Sequence, residues 1–388
     1  MGIFKYYNFF ADTFGILLSN FGFNVNPWTL QIILPVGISF YTFHGLSYVI
    51  DIYKGRIKAE KNFIDYSLFV SYFPLLVAGP IERATHLLPQ IKQKRVFDYT
   101  KAVDGLRQIL WGLFKKVVIA DQCAEYSNMI FNNSNNYGGS TLILGAIFFA
   151  FQIYGDFSGY SDIALGVSRL LGIELLKNFS FPYFSRDIAE FWRRWHISLS
   201  SWFKDYLYFP LGGSKNGKLI QIRNTFIIFI VSGFWHGANW TFIVWGLLHA
   251  IYIIPSIIFN TNRNHLEIVA KNKFLPSIQE SISMVITFIL VVFAWIFFRA
   301  ENVTHAFKFI CGIFSNTIVS MPEIRPYFLI ATIGMFMAIE WLGRGNTFAL
   351  SKLEDKIPKI PRWLFYYILL FAIYYLSGKE QQFIYFQF

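Results

Sequence analysis

A chain of 388 residues that is 55% hydrophobic and only 15% charged carries too few charged groups to clothe an ordinary soluble domain, in which about a quarter of the residues are charged, so its composition points to a membrane. The 45 Phe, 22 Tyr and 11 Trp raise the aromatic share to 20%, and Trp and Tyr suit the two membrane–water interfaces. The formal net charge of +11 comes from 34 basic and 23 acidic residues; the basic ones gather beside apolar runs (Lys92, Lys94, Arg95; Lys115, Lys116; Arg193, Arg194; Lys352, Lys356, Lys359, Arg362), the pattern of cytoplasmic loops and not of a nucleic-acid partner.

The opening MGIFKYYNFFADTFGILLSN lacks the basic head, apolar centre and cleavage site of a signal peptide, so insertion is expected to rely on internal spans. A bilayer core of about 30 Å takes about 20 apolar residues in a helix. Residues 28–50 are uncharged and predict the first such helix. Residues 67–81, SLFVSYFPLLVAGPI, are short for a crossing and carry Pro74, Gly79 and Pro80, which predicts a broken or re-entrant helix; irregular backbone is tolerated at depth only where protein or a water-filled cavity satisfies it. The turn chemistry of NNSNNYGGS (132–140) starts the next helix near Thr141, from where it runs toward Gly172 through Asp156 and Asp162. Between 178 and 223 aromatic and charged residues mix closely, predicting an interfacial stretch in which Phe191, Trp195, Ser198 and Trp202 share one helical face.

From 224 to 262 there is no Asp, Glu, Lys or Arg. The run is too long for one crossing and contains FWHGANW (234–240), which predicts a helix into this motif, a break at Gly237 and a second helix over 240–258. Further helices are expected at 281–298, 326–339 and 363–378. Cys123 and Cys311 have neither metal-type nor redox spacing and read as inert packing residues. No linker, repeat or low-complexity tract divides the chain, so 1–388 reads as a single membrane domain.

Ionisable and polar groups inside a membrane are costly and mark functional sites by default; here they are His44, Asp156, Asp162, His196, His236, Asn239 and His249. A neutral imidazole has one nitrogen to accept a proton and one to donate, and an ordinary pKa near 6.5 suits general-base work. Gly237 beside His236 removes a side chain where a substrate would need access, and Asn239 offers donor and acceptor groups about a turn away. The competing reading of His236 is a structural histidine bonded between helices. His196, in RRWHIS, reads from its position as a histidine reaching interfacial water. Asp156 and Asp162, nearly two turns apart, could both reach a polar lumen, which keeps an ion- or proton-coupled transporter open as an alternative, although no inverted repeat is visible. HExxH, Cys/His metal spacing, phosphate-binding glycine loops and GxSxG are absent, so no metal is expected. A base without a neighbouring protein nucleophile implies that the nucleophile arrives on the substrate.

The motifs EFWRRWHISLSSWFKDYLYFPLGG (190–213), SGFWHGANWTFIVWGLLHA (232–250), LPVGISFYTFHGLSYVIDIYKG (34–55) and FPLLVAGPIER (73–83) together resemble the membrane-bound O-acyltransferase superfamily, most closely its bacterial alginate O-acetyltransferase branch. YGDFSGYSDIALGVSRLLGI, FFRAENVTHAF and the closing FIYFQF extend the resemblance over nearly the whole chain. It implies an all-α, polytopic bundle with re-entrant and interfacial helices around a central tunnel in a bacterial cytoplasmic (inner) membrane, with further hydrophobic helices ahead of residue 1.

The implied activity moves an acetyl or other acyl group from a cytoplasmic thioester toward hydroxyls of an extracytoplasmic polysaccharide, through a partner acetyltransferase of the SGNH type. Acetyl-CoA is the implied donor substrate, with no tightly bound cofactor; D-alanyl transfer to teichoic acid by the same fold is the alternative within enzymes. Carried over by motif, His236 is the base on the acceptor hydroxyl and His196 lies on the donor side, with Trp235, Asn239, Trp195 and Asp156 lining the tunnel or substrate path. Tyr385, the single hydroxyl in FIYFQF, is a candidate covalent acyl relay; the alternative is a hydrophobic tail packed at the interface.

Overall fold

An apolar run that enters hydrocarbon must satisfy its backbone N–H and C=O groups within itself, and the α-helix does so without neighbours. The computed structural model describes residues 5–23, 29, 30, 35, 37–378 and 381–384, and over these the fold is helical with no strand. Six helices come first: α1 (Tyr7–Asn20), α2 (Ile38–Tyr53), α3 (Phe63–Val70), α4 (Ala84–Lys92), α5 (Tyr99–Leu113) and α6 (Asp121–Asn132), with a π-helical stretch, Phe114–Ala120, joining the last two. There follow α7 (Gly139–Leu170), the short pair α8 (Ile188–Arg194) and α9 (Ile197–Phe203), and the hairpin of α10 (Lys218–His236) and α11 (Trp240–Ile258). The remaining helices are α12 (Ile278–Arg299), α13 (Val303–Ile313), α14 (Tyr327–Gly343) and α15 (Lys359–Tyr375).

Among the described residues α7, α11 and α12 are long and apolar enough to cross a membrane. The 32 residues of α7 extend about 48 Å at 1.5 Å per residue. Its most apolar window is 83% buried, against 39% in α11 and α12. A helix apolar all round and buried is a central column; α7 is that column, whereas α12 turns Ile282, Val285 and Ile289 outward, as a lipid-facing helix does.

Two glycine seams bring helices into close contact. On α5 and α7, Gly105 and Gly112 face Gly166 and Gly159; a Cβ on Gly112 would sit 2.7 Å from the Gly159 carbonyl oxygen, and one on Gly166 2.5 Å from that of Gly105. On the α10–α11 hairpin a Cβ on Gly233 would sit 2.2 Å from the Phe242 carbonyl oxygen. Small residues of this kind let membrane helices approach backbone to backbone, where van der Waals packing takes over from the missing hydrophobic drive.

The helices expected at 141–172, 240–258, 281–298, 326–339 and 363–378 are α7, α11, α12, α14 and α15, with ends moved by a few residues. The helix expected over 28–50 is present as α2 from Ile38 onward; Trp28 lies outside the described residues. The stretch 67–81 is broken as its prolines require: α3 stops at Val70 and a single 3-10 turn, Phe73–Leu75, follows.

Two expectations need correction. Phe191, Trp195, Ser198 and Trp202 are all buried, but the common helical face expected of them does not exist, since the chain leaves α8 at Trp195 and His196 takes a left-handed conformation (φ 43°) before α9 begins. Aromatic packing from α7, α11 and α12 supplies the burial that composition alone disguised. Cys123 is buried as expected, but Cys311 is exposed and is no packing residue.

Candidate functional site

The site is built where the α10–α11 hairpin turns. The helix into FWHGANW ends on His236; Gly237 is extended (φ −166°), and Asn239 caps α11 by accepting the Thr241 N–H at 3.0 Å. Asn is among the best residues for that capping position. Its amide nitrogen donates to the Glu301 carbonyl at 2.8 Å, so both ends of Asn239 are committed to holding the loop. Gly237 is needed for closeness and not for access: a Cβ there would lie 2.1 Å from the Phe242 ring, and a protein side chain already fills the space expected for substrate.

The terminal carbonyls of α10, which a helix leaves without intrahelical partners, are met from the start of the chain. Lys5 Nζ donates to the Trp235 and His236 carbonyls at 2.9 and 2.8 Å, and Tyr6 donates its hydroxyl to the Phe234 carbonyl at 2.9 Å. A cation is favourable at a helix C-terminus. Nothing in the sequence signalled that residues so distant would close this end.

The His236 ring packs edge to face against Trp235, Trp245 and Phe298, with ring centroids 4.8, 5.2 and 5.1 Å away. His196 reaches the other flank of the same indole, 6.2 Å from Trp235, and sits against Phe157 at 4.6 Å. The two imidazoles are within electrostatic reach of each other. His196 is 1% exposed, so it does not reach interfacial water; the αL turn between α8 and α9 points it into the core. Its Nδ1 bonds Asn178 Oδ1 at 3.1 Å, while its Nε2 is buried with no hydrogen-bond partner among the described residues. Asn178, a polar residue within LLKNFSFPYF, escaped the sequence reading; an asparagine isolated among aromatics was the available signal.

Of the candidate lining residues, Trp235 is closest to both imidazoles and is backed by Phe40 and Phe43. Trp195 reaches His236 only through two intervening indoles: it packs on Trp295 at 5.2 Å, which stacks at 5.7 Å on Trp245, the ring against His236. His44 and His249 serve as buried acceptors, for the Glu82 backbone N–H at 3.2 Å and the Trp192 indole N–H at 3.2 Å.

Asp156 and Asp162 do not form a carboxylate pair. Asp162 bonds Lys115 Nζ at 2.5 Å and Gln108 at 2.7 Å. Asp156 pairs with Lys116 Nζ at 2.8 Å and accepts the backbone N–H of Ile384 at 2.6 Å. The π-helical stretch presents Lys115 and Lys116 to successive turns of α7, so each acid has its own cation. Asp156 thereby holds the segment 381–384, whose Ile384 is buried and whose Phe383 ring lies 5.4 Å from Tyr160. Tyr385 lies outside the described residues.

A cavity of about 480 Å³ opens between α8–α9 and α10–α11; neither His196 nor His236 lines it, but Ser200 and Ser232, each about one helical turn along the chain from one of them, do. Trp192, Leu199, Phe229 and Ile253 form apolar walls, and Arg193, Lys204 and Arg263 bring positive charge to it. Burial in a membrane protein, an apolar wall and a few convergent polar groups are the features of a small-molecule site.

Fold and site together define a multi-pass helical membrane protein whose centre holds two imidazoles on one indole. Residues 56–298 match the family model described as MBOAT, membrane-bound O-acyltransferase family, and the chain belongs to that family. The matched residues include both histidine motifs. The chain is 40% identical over 316 residues to the probable alginate O-acetylase AlgI of Pseudomonas aeruginosa, covering 81% of this chain and 58% of that protein. It is 38% identical over 347 residues to the peptidoglycan O-acetyltransferase of Helicobacter pylori, covering 83% and 63%. Over 285 residues it is 28% identical to the teichoic acid D-alanyltransferase of Bacillus subtilis, covering 70% of each chain. The chain thus spans about three fifths of the length of the two acetyltransferase relatives.

Proposed function

We propose that this chain transfers an acetyl group from a cytoplasmic thioester, acetyl-CoA, toward hydroxyls of an extracytoplasmic polysaccharide, from within the inner membrane of a bacterium. The observation that carries the reading is the meeting of His196 and His236 on the Trp235 indole, at the centre of a membrane-bound O-acyltransferase. In the reaction an acceptor hydroxyl attacks the thioester carbonyl while His236 removes its proton; the C–S bond breaks, the ester forms, and the thiolate leaves to be protonated as free thiol. A positioned base of this kind contributes roughly 10²–10⁴-fold in rate, and a site closed off from water strengthens the electrostatics around it.

The positive groups of the cavity between α8–α9 and α10–α11, Arg193, Lys204 and Arg263, suit a donor that carries phosphates, since guanidinium and ammonium groups are the usual phosphate partners. The apolar walls suit the uncharged arm that carries the thioester inward. A secreted acetyltransferase of the SGNH type is the proposed receiver on the far side. The buried clamp of Asp156 on Ile384 holds the residue next to Tyr385 and supports Tyr385 as the intermediate acyl carrier: its hydroxyl would take the acetyl group from the thioester, and a later acceptor hydroxyl would displace it.

The test is transfer from labelled acetyl-CoA in membranes containing the protein, with His236→Ala as comparison. Loss of transfer at unchanged protein level supports the reading, and unchanged transfer refutes it. Supplying an alanyl thioester on a carrier protein in a parallel reaction separates acetyl from D-alanyl transfer, the activity named for the Bacillus subtilis relative.

A further inference from the structure

Around His196 lies a hydrogen-bond chain that runs through Ile81, Ser198, Asn178 and Ser161. The backbone N–H of Ile81 donates to Ser198 Oγ at 2.9 Å. The Ser198 hydroxyl donates to Asn178 Oδ1 at 2.6 Å. The structure places the Asn178 amide with its oxygen toward Ser198 and His196 and its nitrogen toward Ser161 Oγ, to which it donates at 3.2 Å. A carbonyl oxygen accepts only. The 3.1 Å contact from His196 Nδ1 to the same Oδ1 then requires the hydrogen to be on Nδ1, and a neutral imidazole protonated at Nδ1 carries its lone pair on Nε2.

The surroundings are built to hold this arrangement. Asn178 and Ser198 are each 1% exposed, and the Asn178 carbonyl accepts the N–H of Ile197 at 2.9 Å, so the same residue grips the backbone next to His196. His196 is held at φ 43°, a conformation that costs a non-glycine residue about 1–2 kcal/mol and persists where the surroundings over-determine it. The Nε2 atom is buried with no hydrogen-bond partner among the described residues, and the ring that carries it lies 6.2 Å from that of Trp235, which also packs against His236.

We propose that Asn178 is a positioning residue that fixes His196 as the Nδ1–H tautomer, so that Nε2 presents a lone pair to the substrate and receives a hydrogen bond from an amide N–H or hydroxyl of it. In this state His196 is an acceptor and does not stabilise an oxyanion. The proposal rests on the acyl-transfer reading for its consequence, though not for its geometry.

The experiment combines ¹⁵N-histidine solid-state NMR on the full chain in lipid with transfer kinetics. In the wild type, the His196 signals, assigned by their loss in His196→Gln, are expected to show a protonated Nδ1 and a bare Nε2; a protonated Nε2 would overturn the proposal whatever the activity. Asn178→Asp keeps an accepting oxygen and is expected to keep the tautomer and most of the turnover. Asn178→Leu removes the acceptor and is expected to mix the tautomers and lower turnover at sub-saturating acetyl-CoA on the order of tenfold, through a raised KM, as the loss of about one hydrogen bond to substrate does. Equal turnover in Asn178→Asp and Asn178→Leu would also overturn it. A wild type with the expected tautomer but no transfer would refute the acyl-transfer reading and leave the Asn178 assignment standing.

Discussion

Ile384 donates its backbone N–H to the carboxylate of Asp156 at 2.6 Å, across 228 positions of sequence. The acid is also paired with Lys116, so one charge pair between the central helix and the π-helical stretch anchors the segment 381–384. Removing the carboxylate leaves a backbone N–H unsatisfied in an apolar setting, which costs about 1–3 kcal/mol. Asp156→Leu should therefore release the 381–384 segment, seen as faster trimming by carboxypeptidase in detergent-solubilised protein. Trimming at the wild-type rate would show that the contact does not anchor the tail.

The covalent role of Tyr385 separates from anchoring by mass spectrometry of the C-terminal peptide after incubation with labelled acetyl-CoA. An acetyl adduct on Tyr385, absent in Tyr385→Phe together with transfer, is expected. Absence of the adduct in wild type together with full activity in Tyr385→Phe would sink the relay.

Loss of either imidazole should act on chemistry beyond the packing cost of deleting a buried ring, so rates are compared per folded protein. His236→Ala is expected to lower the transfer rate by roughly 10²–10⁴-fold. His196→Ala should lower it less, as befits a group that holds substrate. The measurement is initial rate in membranes normalised to protein level.

Gly112→Ala puts a methyl group 2.7 Å from the Gly159 carbonyl oxygen and the Ile163 side chain. Overpacking of this order destabilises by about 1–3 kcal/mol, so the thermal unfolding midpoint should fall. Gly45→Ala is the control: nothing lies within 4 Å of a Cβ there, and relief of the helix-interior glycine penalty, about 0.5–1 kcal/mol, should hold or raise the midpoint.

The loop that positions His44 and Ser198 carries its own titration. Glu82, fully buried, bonds His86 Nδ1 at 2.7 Å and the Leu176 N–H at 2.5 Å, and the hydrogen bond to Glu82 raises the His86 pKa above its ordinary 6.5. A raised histidine pKa means that the folded state holds its proton more tightly. The stabilisation is complete below pH 6.5 and declines as pH rises through the raised value. Unfolding midpoints should consequently fall between mildly acidic and alkaline pH more steeply in wild type than in His86→Gln; parallel curves would exclude the pair as the cause.

Much of the helical framework was legible because hydrocarbon leaves the backbone little choice. The uncharged run 224–262, the turn residues before α7 and the prolines of 67–81 each led to an element that the structure contains. His196 and His236 could be singled out, and the resemblance paired them, since polar groups in such segments are conspicuous. The roles of their neighbours were not legible. Asn239 could have been a cap or an oxyanion donor, and only the path of α11 and the turn at Glu301 committed both its ends. Asp156 and Asp162 looked like a pair by spacing along one helix, but the π-helical stretch opposite set a lysine against each. The αL turn at His196, the Asn178 oxygen behind it and the closure of α10 by Lys5 depend on contacts between segments far apart in the chain. Local composition and periodicity determine which segments become helices and which carry polar groups into the membrane; which partner each polar group meets is decided by tertiary packing, because hydrogen bonds and ion pairs form between surfaces that no single segment contains.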